Sequence, residues 1–179
     1  MNLFNDYFSK LEHVCAQEFS ILPIVTYTDQ INKALLVGEV NEDGEIQWKA
    51  RKQTENIDWS KIEKIVGFEI NEELKEYYST FCFFTITGSI SNIYFRLFPV
   101  GATREVERDV KQHFVDGKYD FPSNQTFLIG EASIDADDSY FVYYENSTKE
   151  VFCYERELKR KIVMADSLTT LFQIIRVEF

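Results

Sequence analysis

The chain has 179 residues, of which 45% are hydrophobic and 16% aromatic, and its formal net charge is −11. The length suits one domain with a substantial core, and the apolar and aromatic content excludes disorder as the overall state. A chain this acidic repels phosphate backbones and anionic lipid headgroups, which argues against direct binding of nucleic acid or of a membrane surface. The charge itself fits two roles, namely solubility and attraction of a basic partner.

The N-terminus and the cysteines indicate a cytoplasmic protein. The start, MNLFNDYFSK, lacks the basic and apolar regions of a secretory signal peptide, and the apolar stretch Phe81–Ile86 is too short to span a bilayer. Cys15, Cys82 and Cys153 are odd in number and show no CxxC spacing, as expected of reduced thiols that fill a core. No linker or repeat divides the chain, so residues 1–179 are predicted to form one domain.

The N-terminal half is predicted to contain three helices and a pair of strands. Apolar residues recur at helical spacing from Leu3 to Cys15, and Pro23 marks a stop beyond this first helix. The pattern then predicts strands Ala34–Val40 and Glu45–Trp48 around a turn at Asp43-Gly44.

Two capped helices follow these strands. Asp58 is predicted to cap the first of them, and Gly67 ends it. Asn71 caps the second, which carries Glu72 and Glu73 in its first turn, where carboxylates stabilise the positive helix end.

A hairpin and a helix are predicted next. The hairpin pairs Phe81–Ile86 with Ile90–Phe98 around Thr87-Gly88-Ser89. The helix runs from about Arg104 to Asp116, with Gly117 after its end.

The stretch FLIGEASIDADDSYFVYYENSTKEVFCY, residues 127–154, is rich in β-branched and aromatic residues. It predicts a strand ending at Gly130, an acidic loop, and two paired strands, Ser139–Tyr144 and Glu150–Tyr154, joined by a turn over Glu145–Lys149. A short strand around Lys161–Met164 and a helix capped by Asp166 or Ser167 complete the chain. Because local hairpins dominate, we predict an α+β domain with a mainly antiparallel, mixed sheet flanked by helices.

Two groups of carboxylates are candidates for binding. Asp135, Asp137 and Asp138 lie between strands, but an EF-hand loop starting at Asp135 would need Gly and Glu where the chain has Tyr140 and Asn146. A calcium site is therefore not predicted. These aspartates are either a solvated loop or a contact for basic side chains.

The second group surrounds the helix capped by Asn71. The helix dipole explains Glu72 and Glu73 without a partner, whereas Glu76 has no such structural reason. The predicted partner-binding residues combine both groups with one aromatic anchor: Asp135, Asp137, Asp138, Glu131, Glu69, Glu76 and Tyr140.

We predict no catalytic residues, no metal ligands and no cofactor. His13 and His113 are the only histidines, and HExxH, GxSxG, GxGxxG and GxxxxGK[ST] are absent. The single dense basic run, from Arg156 to Lys161, is either a solvated turn or a contact to an acidic partner or headgroups.

The chain resembles the SUKH superfamily of bacterial immunity proteins. The resemblance rests on residues 127–154, on Ile46-Gln47-Trp48, on LKEYYSTF at Leu74–Phe81, and on Ser167-Leu168-Thr169-Thr170-Leu171-Phe172. The order of elements, including the helix from Arg104 to Asp116, is most similar to the branch of SecY-interacting Syd proteins. The resemblance implies a cytoplasmic, non-enzymatic fold whose acidic face binds a protein.

Three functions follow as hypotheses. The first is an immunity protein that neutralises a toxin, such as a nuclease, by masking its basic face. The second is a Syd-like regulator that binds basic cytosolic loops of SecY and is held at the membrane only through that partner. The third is a hydrolase that uses paired carboxylates.

Overall fold

The computed structural model describes residues 4–18, 21–122, 124–135 and 137–178, without the side chains of Asn5 and of residues 137–139. The helices are α1 (Asn5–Glu18), α2 (Trp59–Val66), α3 (Glu72–Thr80), α4 (Val106–Asp120) and α5 (Leu168–Ile174). Leu3, the first apolar residue of the predicted α1 stripe, lies outside the described residues. Among the described helices, none combines the length and the apolar character that crossing a bilayer requires.

The strands of the described chain form one large sheet and two small ones. Their bounds are β1 (Ile24–Thr26), β2 (Leu36–Val37), β3 (Glu45–Trp48), β4 (Arg51–Lys52), β5 (Phe81–Cys82), β6 (Ile86–Ile90), β7 (Ile93–Leu97), β8 (Thr126–Ile134), β9 (Asp137–Glu145), β10 (Val151–Glu155), β11 (Arg160–Ala165) and β12 (Arg176–Val177). The large sheet has the order β11-β10-β9-β8-β7-β6-β12. Every neighbouring pair in it is antiparallel, so the α+β prediction is confirmed.

The paired strands predicted in residues 139–154 are confirmed. In the β9–β10 hairpin, Tyr140 lies opposite Glu155 and Tyr144 lies opposite Val151. The connecting turn needs a left-handed residue, which Lys149 provides with a φ of 68°. Three of the predicted caps are also confirmed, because the side chains of Asp58, Asn71 and Ser167 each accept a backbone N–H in the first turn of α2, α3 and α5.

The large sheet buries one face more completely than the other. Alternate residues of β7, such as Phe95 and Leu97, are fully buried on the helix-covered face, whereas Arg96 between them is exposed. On the open face, Leu128, Tyr143 and Phe152 form a small buried cluster, and partly buried aromatic rings pack against it. This division leaves the polar part of the open face, across β6 to β8, in contact with solvent.

The predicted hairpin forms between β6 and β7, but its turn is not at Thr87-Gly88-Ser89. These residues lie inside β6, and the turn is two residues further on, where Ser91 has a φ of 55°. Gly88 marks a close approach and not a turn, because a Cβ there would collide with the side chain of Ile175, which precedes β12.

Two other glycines also lie within elements that they were predicted to end. The helix α4 continues to Asp120, so Gly117 lies inside it. A glycine is needed at this position because a Cβ would collide with the carbonyl oxygen of Thr126 on β8. Gly130 lies inside β8, where it pairs with Leu97. Both glycines allow backbones to approach closely, and this signal is indistinguishable in sequence from a stop.

The segment predicted as strand Ala34–Val40 is shorter and partly helical. Asn32 caps a 3₁₀ turn at Lys33–Leu35, so only β2 remains as strand, and Gly38 with a φ of 80° ends it. One unpredicted strand, β1, pairs with the other edge of β3. The predicted acidic loop is also shorter than expected, because Asp137 pairs with Ile134 and already belongs to β9.

We expect that Gly117→Ala destabilises the fold by about 1–3 kcal/mol, because overpacking against the Thr126 carbonyl outweighs the gain of about 1 kcal/mol in helix propensity. Val115→Ala, at an exposed position of the same helix, should change the free energy of unfolding by less than about 0.5 kcal/mol. Urea unfolding of both variants measures the difference. Equal stabilities would show that α4 does not pack this closely on β8.

Candidate protein-binding surface

The acidic group around α3 forms a continuous surface. Glu69 precedes the helix, while Glu72 and Glu76 are one turn apart on its outer side, and all three are exposed. Two shallow depressions of about 300 and 560 Å³ share Glu72 as a common wall. Trp59, from the start of α2, lines the larger of these depressions.

Asn146 holds this surface in place from the turn between β9 and β10. Its side chain is buried, its Oδ1 accepts the N–H of Asn71 at 2.7 Å, and its Nδ2 donates to the Glu69 carbonyl at 3.0 Å. The same Nδ2 donates to the Gln125 Oε1 at 2.9 Å. The start of α3 is therefore fixed to the sheet by a buried amide whose hydrogen-bonding groups are well satisfied.

Glu73 has a structural role that the sequence does not reveal. Its carboxylate accepts the N–H of Leu168 at 3.1 Å and the N–H and hydroxyl of Thr169 at 2.8 and 2.5 Å. It thus caps the positive end of α5 from a different helix. The predicted explanation for Glu73, its own helix dipole, is incomplete.

The remaining carboxylates of the group differ in their neighbours. Lys75 contacts both Glu63 and Glu72 at 2.9 Å, and hydrogen bonding to Glu72 is the main cause that raises the pKa of Lys75. The Glu72 side chain nevertheless stays 87% exposed. The carboxylates of Glu69 and Glu76 have no hydrogen-bond or ion-pair partner among the residues that the structure describes.

The other predicted residues lie on β8 and at the turn after it. Glu131 forms an ion pair with Arg96 at 2.5 Å on the open face of the sheet. Asp135 is exposed and accepts a hydrogen bond from the Asn92 side chain at 3.0 Å. Asp137 and Asp138 begin β9, but their side chains lie outside the described part of the structure.

These two acidic regions do not form one face. Glu69 is held at the Glu145 end of β9, whereas Asp135 lies beyond its Asp137 end. A strand of nine residues rises about 3.3 Å per residue, so its ends are roughly 25 Å apart. Of the predicted carboxylates, the structure brings Glu69 and Glu76 together and leaves Glu131 and Asp135 elsewhere.

Tyr140 is not available as an aromatic anchor on the surface. Its side chain is 3% exposed and belongs to the main core. Side chains alternate along β9, and that of Tyr140 falls on the face that the helices cover. The strand is also paired on both sides. The prediction that Tyr140 binds a partner is corrected accordingly.

Two buried ionisable side chains of α4, His113 and Asp109, have hydrogen-bond partners. The ring Nδ1 of His113 lies 2.7 Å from the Tyr78 hydroxyl, and burial is the main cause that lowers the pKa of His113 to about 3. Asp109 is buried against Arg104 and accepts the N–H of Gly101 at 2.7 Å. Both groups lie on α4, and Asp109 also joins this helix to the loop at Gly101.

The thiols are free and buried, as predicted. Within the described ranges, no three side chains of His, Cys, Asp or Glu are grouped so that they could hold a metal ion.

Sequence reasoning missed Asn146 and the capping role of Glu73. The predicted turn between β9 and β10 correctly includes Asn146, but two of its three side-chain partners are 75 and 77 residues away in the chain. Only the short polar turn Asn146-Ser147-Thr148 could have drawn attention to it.

No known family model matches the chain, and no significant relative was found among curated proteins. The assignment to the SUKH superfamily therefore stays a prediction.

We expect Glu73→Ala to destabilise the protein by about 1–2 kcal/mol, because the N–H groups of the first turn of α5 lose their cap. Glu76→Ala removes an exposed carboxylate from the same helix and should cost less than about 0.5 kcal/mol. Thermal and urea unfolding compare the two variants. If both changes cost the same, the contact between Glu73 and α5 is not formed in solution.

His113 should make stability depend on pH. Its pKa is about 3 in the folded protein and about 6.5 when unfolded, so the unfolded chain binds the proton preferentially below pH 6.5. The stability that the neutral ring contributes is present above pH 6.5 and is lost as the pH falls. Between pH 7 and pH 5 this loss amounts to about 2 kcal/mol.

The measurement compares urea unfolding of the wild type and His113→Gln at both pH values. The variant should lose about 2 kcal/mol less than the wild type over this range. Asp109, whose pKa is raised by burial, contributes with the opposite sign but equally in both proteins. An identical pH dependence would mean that His113 is protonated or exposed in the folded state.

Proposed function

We propose that this protein is a non-enzymatic binding module of the immunity type, which neutralises a cognate bacterial toxin by masking its basic face. The observation that carries this proposal is the pair of exposed carboxylates of Glu69 and Glu76, which have no partner among the described residues, on a surface fixed by Asn146. The Glu69 backbone is already held by Asn146, so it loses little freedom when a basic partner binds, which favours affinity.

The charge of the chain supports a basic partner. A net charge of −11 accelerates the approach of a cationic surface, and the exposed glutamates beside α3 give that approach an orientation. Lys75 is held by Glu63 and Glu72, so it competes little with a cation of the partner for the exposed glutamates. A nuclease that binds phosphates through Lys and Arg offers such a surface.

The similarity of residues 127–154 to the SUKH superfamily supports the same function, since its members act by binding proteins. The α+β domain with an antiparallel sheet agrees with that similarity.

The same acidic surface also fits the basic cytosolic loops of a translocon such as SecY, which is the second candidate. Gene context separates the two, because a toxin gene directly upstream favours immunity and an isolated locus favours the translocon.

Charge reversal tests the surface. The toxin domain encoded upstream is co-expressed with the wild type or with Glu69→Lys/Glu76→Lys, and growth rescue and association rates are measured. We expect the variant to lose protection and to associate about tenfold more slowly at 0.1 M salt, with a smaller difference at 1 M, where the screening length falls from about 10 to about 3 Å.

The matched control is Glu42→Lys/Asp43→Lys, which makes the same charge change at the exposed turn before β3. The control should keep most of the protection and of the association rate. Equal effects of both double variants would show that only net charge matters. Loss caused by Asp135→Lys but not by the α3 variant would place the binding surface at the other end of β9.

A further inference from the structure

An apolar cavity lies between α1, the segment that leads into β1, the end of β3 and the start of β6. It has a volume of about 420 Å³ and opens to solvent beside the exposed side chains of Ile21 and Ile24. The volume lies within the range of pockets that bind small molecules, and a largely apolar lining with a few polar groups is typical of such pockets.

Hydrogen bonds fix the walls of this cavity. The N–H of Leu22 donates to the Gln47 Oε1 at 2.9 Å, and β1 pairs with β3 directly after this contact. On α1, the Tyr7 hydroxyl donates to the Thr87 carbonyl at 2.8 Å, which ties this helix to β6. The cavity is therefore preformed, and a ligand that enters it needs little rearrangement of the protein.

The indole N–H of Trp48 is a polar group in the cavity wall that lacks a partner. Trp48 is only 4% exposed, and its indole N–H donates to no residue in the described part of the chain. The nitrogen is not fully enclosed by protein, in contrast to the unpartnered groups of Gln53 and Tyr77. Since Trp48 lines the cavity, this is the side from which an acceptor can reach the N–H.

The lining also determines the charge of a ligand. None of the described residues that line the cavity carries a charged side chain. Transfer of an ionised group into such surroundings without a counter-charge is costly. An anion is further disfavoured by the net charge of −11. The cavity therefore selects a neutral molecule.

We infer that this cavity binds a neutral, largely apolar small molecule that carries a hydrogen-bond acceptor, such as a carbonyl oxygen. The apolar body of the ligand contacts Leu11, Phe84 and Ile24, and its acceptor receives the N–H of Trp48. Burial of the apolar body supplies most of the affinity, and the indole N–H orients the ligand.

The cavity shares no lining residue with the two depressions of the acidic surface around α3. Ligand binding is therefore independent of the proposed function, and each can fail without the other.

Fluorescence titration with prodan, a neutral naphthyl ketone whose emission shifts to the blue in apolar surroundings, tests this inference. We expect one saturable site per chain with a micromolar Kd. The anionic probe anilinonaphthalene sulfonate should bind at least about tenfold more weakly, because its charge has no partner in the cavity. Absence of saturable prodan binding, or equal affinity for the sulfonate, overturns the inference.

Two variants locate the site. Trp48→Phe keeps an aromatic ring but removes the N–H, and it should weaken prodan binding about two- to tenfold. Ile24→Glu places a charge at the mouth of the cavity and should weaken binding at least about threefold. Val40→Glu is the matched control, since Ile24 and Val40 are both 44% exposed and Val40 does not line the cavity. Thermal unfolding verifies that the three variants are folded.

The pattern across the variants decides the outcome. Prodan binding that neither Trp48→Phe nor Ile24→Glu weakens would show that the probe binds elsewhere, and weakening by Ile24→Glu alone would overturn the acceptor contact with Trp48. Sedimentation velocity identifies a different occupant. A dimer that Ile24→Glu dissociates would show that a second copy covers the cavity, which also overturns the inference.

Discussion

The buried amide of Asn146 is the contact on which the arrangement of the helices depends. It joins the end of the β9–β10 hairpin to the start of α3 through two hydrogen bonds of 2.7 and 3.0 Å, and a third bond of 2.9 Å reaches the Gln125 side chain before β8. The helix α3 then carries Glu73 to the first turn of α5, and α5 leads to β12, which closes the sheet beside β6. Because an unsatisfied buried amide is costly, these bonds stabilise the position of the start of α3 on the sheet.

The acidic residues discussed above fall into two groups. Some lie close enough to a backbone N–H group or a cation to bind it, and others face solvent. Glu73 and Glu155 bind backbone N–H groups, and Asp109 is neutralised by Arg104, so their charge is used inside the fold. Glu69 and Glu76 have no such partners in the described part of the chain, and their side chains face solvent. Composition alone attributes the same role to all of them, and only geometry separates those that can attract a partner.

The aromatic residues follow the two faces of the sheet. Phe4, Tyr77 and Phe172 are among the rings that interlock beneath the helix-covered face, with centroids 4.8 to 6.5 Å apart. On the open face, Phe121 and Arg156 cover the rings of β9 and β10. The core therefore contains the inward tyrosines of β9, whereas Tyr119 on α4 leaves its ring exposed.

The sequence by itself determined the helices, their caps at Asp58, Asn71 and Ser167, and the β9–β10 hairpin, because each depends on residues close together in the chain. It could not distinguish Gly88 and Gly117 from turn glycines, since the groups that require them, Ile175 and Thr126, are distant or on another element. It also could not bury Tyr140 or separate Glu69 from Asp135, although it identified both carboxylates as exposed candidates. Those outcomes depend on strand pairing and on which face the helices cover, and only the tertiary structure decides them.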